Sequence, residues 1–327
     1  MNQKKSLTTD EVFNLAVQSH QEGKTDVAQE LYSQVLKIDP NNSQALNNIA
    51  VIFTNLKDYQ KAKECYEKAI KINPNYADAH NNLGNIFKKL TENQKAKECY
   101  EKAIEINPNY LGAYDNLAMI FIQLEDYQKA KECYEKAIER NSNYADAHNN
   151  LGNIFKLLKD YQKAKECYEK ATKINPNHLS AYNNLGVIFK DLGDYQKAKE
   201  CYKKAIEINP NHLGAHYNLG VIFKKLGENQ KAKECYKKAI EINPNHAEAH
   251  YNLGNIFKLL KDNQKAKECY KKAIKINPNY ADAHNNLGVI LKELGENQKA
   301  KDCFEKTIEI NPNHTDAHNN LGVIFKS

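Results

Sequence analysis

ADAHNNLGNIFKKLTENQKAKECYEKAIEINPNY, residues 77–110, holds two helices and the turn between them. Its first half sets Ala79, Leu83, Ile86, Phe87 and Leu90 at helical spacing, which gives one apolar stripe. Its second half does the same with Ala96, Cys99, Tyr100, Ala103, Ile104 and Ile106. The residues between, TEN here, KDY at 57–59 and GDY at 193–195, read as a short turn. Asp58 and Asp194 are candidate N-caps for the second helix, because a carboxylate accepts from free first-turn amides. Pro108 cannot continue a helix interior and so ends the second helix. Asn75-Tyr-Ala-Asp78 has the spacing of an N-cap and an acidic first turn for the next helix.

The unit recurs along the chain. YADAHNNLGNIFK stands at 76–88 and again at 144–156, and YADAHNNLGVILK at 280–292, so the copies are separated by multiples of 34. All eight prolines fall on this grid, at 40, 74, 108, 176, 210, 244, 278 and 312, with Ser142 the one exception. Such a period is the mark of a repeat architecture. The register divides the chain into a tail (1–8), a degenerate N-terminal capping unit (9–42) and eight tandem units (43–76, 77–110, 111–144, 145–178, 179–212, 213–246, 247–280, 281–314). A lone first helix follows at 315–327. Small residues fall where helices approach closely: Gly84, Ala96 and Ala103 recur as Gly152, Ala164 and Ala171, leaving room for Phe87 and Tyr100. One helix pair cannot bury both stripes alone, so neighbours must stack. The fold class is all-α, an α-solenoid.

Composition narrows the function. The 327 residues carry 47 basic and 41 acidic side chains, a net +6, mild for this length. The charges alternate in sign, as in KAKECYEKAIE, which describes a solvated helix face rather than a polyanion-binding stripe; nucleic acid is not expected as a partner. Two lysines open the chain without an apolar run after them, so no secretory signal is read there. No run nears the roughly 18 apolar residues of a membrane span, and a cytoplasmic protein with no membrane partner is expected. The eight cysteines, 65, 99, 133, 167, 201, 235, 269 and 303, also recur every 34 residues. Stacked equivalents would lie roughly 8–10 Å apart, too far for a disulfide, which needs about 7 Å or less. They read as small packing residues. Histidine pairs 212/216, 246/250 and 314/318 have a spacing that can share a metal, yet tyrosine replaces them at sites such as 110/114, so packing is the reading and no metal or cofactor is expected. Most ionisable residues recur identically in every unit, whereas catalysis needs distinct residues converging at one place. No enzyme activity is expected.

The spacing of Leu83, Gly84, Phe87, Ala96, Tyr100, Ala103 and Pro108 resembles the tetratricopeptide repeat over residues 9–327. Two departures stand out. The family's Trp near the start of the first helix is replaced by His80, Tyr114, His148, Tyr182 or His216, and the first unit carries Ser19 where others carry Phe. A more polar terminal unit suits a cap.

The resemblance implies a right-handed superhelix with first helices lining its concave face and second helices its convex face. By that analogy a ladder of amides faces inward: Asn48, Asn82, Asn116, Asn150, Asn184, Asn218, Asn252, Asn286 and Asn320. An amide both donates and accepts, so it can hold a peptide backbone without reading side chains. An extended peptide advances about 3.3 Å per residue, so one rung would meet about every third residue. The pattern is similar to the long superhelices of O-GlcNAc transferase and SPINDLY-type glycosyltransferases. Beside the ladder lie Asn85, Asn153 and Asn255, replaced by valine or Met119 in other units. Lys88, Lys156, Lys190, Lys224, Lys258 and Lys292 form a third row, broken by Thr54 and Ile122. Unit 111–144 is the odd one, with Asp115, Met119, Ile122, Arg140 and Ser142, and is read as a specificity pocket around Met119 and Ile122 or a bend. The residue before each rung is Asn, Asp or Tyr and never basic, which argues against the family's carboxylate clamp.

The expected function is therefore a non-catalytic scaffold binding an extended peptide or a partner protein. The alternative is the substrate-recruiting part of a glycosyltransferase or sulfotransferase whose catalytic part is absent or separate. The lone helix at 315–327, with Leu321, Phe325 and Lys326, is expected to act as a cap, as a site of homo-oligomer contact, or as the point of junction to a further domain.

Overall fold

The computed structural model describes residues 7–324; Phe325 and Lys326 lie outside them. Among the described residues nineteen α-helices follow one another and there is no strand. The chain divides into two compact units, one ending at Cys167 and one beginning at Tyr168. The first holds α1 (Thr9–Gln21), α2 (Thr25–Ile38), α3 (Ser43–Asn55), α4 (Tyr59–Ile72), α5 (Ala77–Lys89), α6 (Asn93–Ile106), α7 (Leu111–Gln123), α8 (Tyr127–Arg140), α9 (Ala145–Leu157) and the start of α10 (Tyr161–Ile174). The second continues with α11 (Leu179–Asp191), α12 (Tyr195–Ile208), α13 (Leu213–Lys225), α14 (Asn229–Ile242) and α15 (Ala247–Leu259). It ends with α16 (Asn263–Ile276), α17 (Ala281–Glu293), α18 (Asn297–Ile310) and α19 (Thr315–Ile324).

Each unit is an α-solenoid of stacked helix pairs, in which an odd-numbered helix packs on the even-numbered helix after it, and that helix on the next pair. The pairs are antiparallel: Thr307 near the end of α18 hydrogen-bonds the carbonyl of Ala281 at the start of α17. The closest approach is at glycine. A Cβ on Gly84 would lie 2.6 Å from the Tyr100 ring, and Gly220 meets Tyr236 in the same way at 2.7 Å. Those tyrosines are fully buried, as are Ala96 and Ala103, so the small residues make room as their spacing predicted.

The turns obey local chemistry. Asp58 and Asp194 accept from the amides of Lys61 and Lys197 at 3.2 and 3.1 Å, the expected caps. The capped lysine also lies over the phenylalanine of the first helix: Lys61 is 5.5 Å from the Phe53 ring and Lys197 5.3 Å from that of Phe189. Carboxylate, ammonium and ring thus lock each turn, a cation–π contact adding about 0.5–1 kcal/mol at such sites. The position before the cap has positive φ throughout, with glycine at 193, 227 and 295 but Lys57, Thr91, Glu125, Lys159 and Lys261 elsewhere.

At the other turn the expectation for Asn75 is corrected. The helix begins at Ala77 after Tyr76, and no side chain caps it. The working residue is Asn73, whose side-chain oxygen accepts from the Asn75 amide at 3.2 Å, a local Asx turn after the second helix. His80 then reaches back to the Pro74 carbonyl at 3.0 Å, Tyr114 to Pro108 at 3.2 Å, and His148 to Ser142 at 3.1 Å. This one bond explains why His and Tyr interchange there. It also explains why Ser142 leaves the turn unchanged, since the bond uses a carbonyl that serine supplies as well as proline.

The N-terminal unit is closed by a reciprocal cap, in which Thr8 accepts from the Glu11 amide and Glu11 from the Thr8 amide. Ser19 is buried in it where other units carry phenylalanine. All eight cysteines are free. Burial pushes the Cys99, Cys133, Cys201 and Cys235 thiols up to about 12, so they stay protonated and unreactive.

Candidate functional site

The rungs of the amide ladder are half-buried on the first helices, with the lysine row beside them. The structure gives these rungs a task within the fold. In the first unit Asn82 donates to the side-chain oxygen of Asn47 at 3.4 Å, and Asn116 to that of Asn81 at 3.0 Å. In the second, Asn252 donates to the Tyr217 hydroxyl at 3.1 Å, Asn286 to that of Tyr251 at 3.2 Å, and Asn320 to Asn285 at 3.1 Å. These five rungs are thus tied to the preceding repeat. Asn48 on α3 donates instead to the Tyr32 hydroxyl of α2 at 3.2 Å. Rung oxygens are used too: Asn47 and Asn81 donate to Asn48 and Asn82 at 3.2 and 3.4 Å.

The second row is engaged in the core. The Tyr100 hydroxyl donates to Asn85 at 2.9 Å and that of Tyr270 to Asn255 at 2.8 Å. Where valine stands instead, at Val187 and Val221, the buried hydroxyls of Tyr202 and Tyr236 have no partner among the described residues. Variation in this row therefore tracks the hydrogen bonding of a core tyrosine. Asn153 holds the equivalent place in its repeat.

The lysine row, Lys88, Lys156, Lys190, Lys224, Lys258 and Lys292, is half-buried along its stems. Burial lowers the pKa of Lys88, and burial followed by the charge of Lys225 lowers that of Lys224. Met119 is 41% exposed, while Ile122 is partly buried against the core of the first unit. A cavity of about 440 Å³ in this repeat lies elsewhere, lined by Ile104, Tyr114, Phe121, Cys133, Lys136 and Arg140 among others. The structure thus does not bring Met119 and Ile122 together as its lining. Beside them Asp115 accepts from the Tyr144 hydroxyl, and its pKa is raised because burial outweighs that bond.

One feature escaped the sequence reading. Tyr217 stacks on His246 with ring centroids 4.8 Å apart, and Tyr251 lies 4.9 Å from Tyr280. Two consecutive repeats thus present an aromatic pair where others present asparagine. The signal in the sequence is the change from Asn81 to Tyr217 and Tyr251 at the position before the rung. The paired histidines hold no metal-like arrangement: His212 Nδ1 accepts from the Ala215 amide and His216 Nε2 meets the Pro210 carbonyl. Among the described residues no group of three or more His, Cys, Asp or Glu could hold a metal ion. No described helix is long and apolar enough to cross a membrane.

The family model described as tetratricopeptide repeat matches residues 43–76, 77–110, 145–178, 180–212, 214–246, 247–280 and 281–314. Two further repeat models cover 118–159 and 99–132. No curated protein matches the chain. Among solved structures it is similar to YrrB, described as a TPR protein with an unusual peptide-binding site. That likeness has 26% identity and a TM-score of 0.52, and covers 58% of this chain and 97% of YrrB. It is also similar in fold to pilF of Pseudomonas aeruginosa, at 22% identity and TM-score 0.57, over 66% of this chain and 97% of that one.

Proposed function

Because the chain belongs to the tetratricopeptide repeat family, we propose that it is a non-catalytic interaction scaffold that binds an extended peptide or partner-protein segment across its first helices. The likeness to YrrB, a repeat protein described as having a peptide-binding site, carries this reading. The ladder supports it through its residual valence. An amide offers two N–H donors and an oxygen with two lone pairs. The bonds between repeats use one donor of Asn82, Asn116, Asn252 and Asn320, so a second N–H remains at the half-buried rim. Those same bonds hold each amide in one orientation, which lowers the ordering cost of binding. Tyr217 and Tyr251 add rigid aromatic surface with few rotatable bonds.

The rival reading, a substrate-recruiting region of an O-GlcNAc transferase or SPINDLY-like enzyme, rests on the ladder alone and shares this peptide-holding face. Affinity capture with the whole chain and with an Asn218→Ala, Asn252→Ala, Asn286→Ala variant tests the site. Partners retained by the whole chain and lost from the variant are expected, with helicity at 25 °C unchanged. Identical partner sets would remove the ladder from the binding site. A Met119→Asn, Ile122→Lys variant that keeps every partner would remove the specificity pocket.

A further inference from the structure

A second face of the molecule breaks the repeat's charge pattern. One position of the second helix reads Glu67, Glu101, Glu135 and Glu169, then Lys203, Lys237 and Lys271, then Glu305. Where it is glutamate it pairs one turn back: Lys63–Glu67 at 3.9 Å, Lys97–Glu101 at 3.7 Å, Lys131–Glu135 at 3.6 Å and Lys301–Glu305 at 3.8 Å. In α12, α14 and α16 the same spacing sets lysine against lysine, 199 with 203, 233 with 237, and 267 with 271. Like charges one turn apart oppose the helix. Lys199 and Lys267 turn instead to Glu228 and Glu296 of the next pair.

Lys203, Lys237 and Lys271 are all exposed. They occupy equivalent positions on successive second helices, α12, α14 and α16, and so form a line across the second unit. A groove of about 440 Å³ is lined by Lys203 together with Lys204 and Tyr182. Residues 213–280 carry 13 lysines against 6 acidic side chains, while residues 77–144 carry 9 basic against 11 acidic.

We propose that the second-helix face of α12, α14 and α16 is a docking surface for an acidic peptide segment with carboxylates at about every third residue. The spacing follows from geometry, since stacked helices sit roughly 8–10 Å apart and an extended chain advances about 3.3 Å per residue. Charge complementarity selects the anion. The interleaved Glu200, Glu207, Glu234, Glu241 and Glu268 would repel an unbroken run of phosphates, whereas spaced carboxylates pass between them. The only arginine, Arg140, is in the other unit, so bidentate phosphate recognition is not available here. This surface is separate from the first-helix face and does not depend on it.

The test is fluorescence anisotropy of the whole chain with a labelled peptide of about eighteen residues bearing Asp at every third position. A control peptide carries Asn at those positions. Lys203→Glu, Lys237→Glu, Lys271→Glu together install the residue native to the other repeats, so the fold is kept, and circular dichroism confirms it. The triple variant is expected to weaken binding about tenfold or more, and raised salt to do the same. Glu67→Lys, Glu101→Lys, Glu135→Lys is expected to create a second site. Equal binding of the Asn control, or no loss in the triple variant, would overturn the proposal. Tighter binding of a single-stranded RNA, lost in the same variant, would overturn it in favour of nucleic acid.

Discussion

Repeats 77–110 and 213–246 share one packing plan and differ in how they settle its polar accounts. Tyr100 and Tyr236 lie against Gly84 and Gly220 with nearly the same clearance, and both are fully buried. Tyr100 donates to Asn85, whereas Val221 stands at the equivalent position of the other repeat and the Tyr236 hydroxyl has no hydrogen-bond partner among the described residues. The turn of the first repeat forces Thr91 to φ 62°, while Gly227 takes φ 76° in the second. Glu101 neutralises Lys97 in one, and Lys237 faces Lys233 in the other. Steric complementarity is therefore held constant from repeat to repeat, while hydrogen bonds, turn strain and charge are distributed unevenly. A buried hydroxyl without a partner costs about 1–3 kcal/mol, which stacking in an array can absorb because each repeat is braced by its neighbours.

The largest expected effect strikes what the two repeats share. Gly220→Val pushes two methyl groups into the Tyr236 ring and should destabilise by about 3 kcal/mol, measured by urea unfolding. The same change at Gly84 should cost as much, and a small effect at either would show that the ring can swing aside.

The next effect strikes the contrast itself. Asn85→Val should cost about 1–3 kcal/mol by orphaning the Tyr100 hydroxyl, and Val221→Asn should recover about 1 kcal/mol by giving Tyr236 an acceptor. Tyr236→Phe should be neutral or stabilising where Tyr100→Phe is destabilising. Equal signs for the two phenylalanine variants would mean that the orphan hydroxyl finds another partner in solution.

Turn strain comes third. Thr91→Gly should stabilise by about 1 kcal/mol, because a β-branched residue at positive φ pays a steric cost that glycine avoids. Gly227→Thr should lose a similar amount, read as shifts of opposite sign in thermal melts.

The smallest effect is a pH dependence in the repeat between them and α9. Asp115 has a folded-state pKa raised by burial. Its contribution is therefore most favourable below the unfolded-state value, about 3.9, and is lost as pH rises through the folded value. Asp115→Asn, the residue Asn81 supplies next door, should stabilise at neutral pH and lose that advantage in acid. A benefit that persists unchanged at pH 3 would show that burial of the charge is not the cause.

The all-helical fold and the turn caps at Asp58 and Asp194 were legible in one dimension, because they depend on local spacing. A 34-residue period places apolar, small and capping residues at fixed helical intervals whatever the neighbours do. The start of the first helices was less legible. Asn73, not Asn75, satisfies the local backbone, and a cap of either kind leaves a similar trace of Asn and Pro. The role of the ladder was not legible at all. Asn82 reads the same whether it waits for a ligand or ties to Asn47, since those partners lie 35 residues apart and meet only when repeats stack. The same holds for the stacked rings of Tyr217 and His246, while Tyr100 and Asn85, 15 residues apart, meet when the two helices of one repeat pair. Covalent neighbours and helical period thus specify which elements form. Which polar groups remain for a partner is decided by contacts between repeats, because hydrogen bonds and charges act across a few ångströms of space and not along the chain.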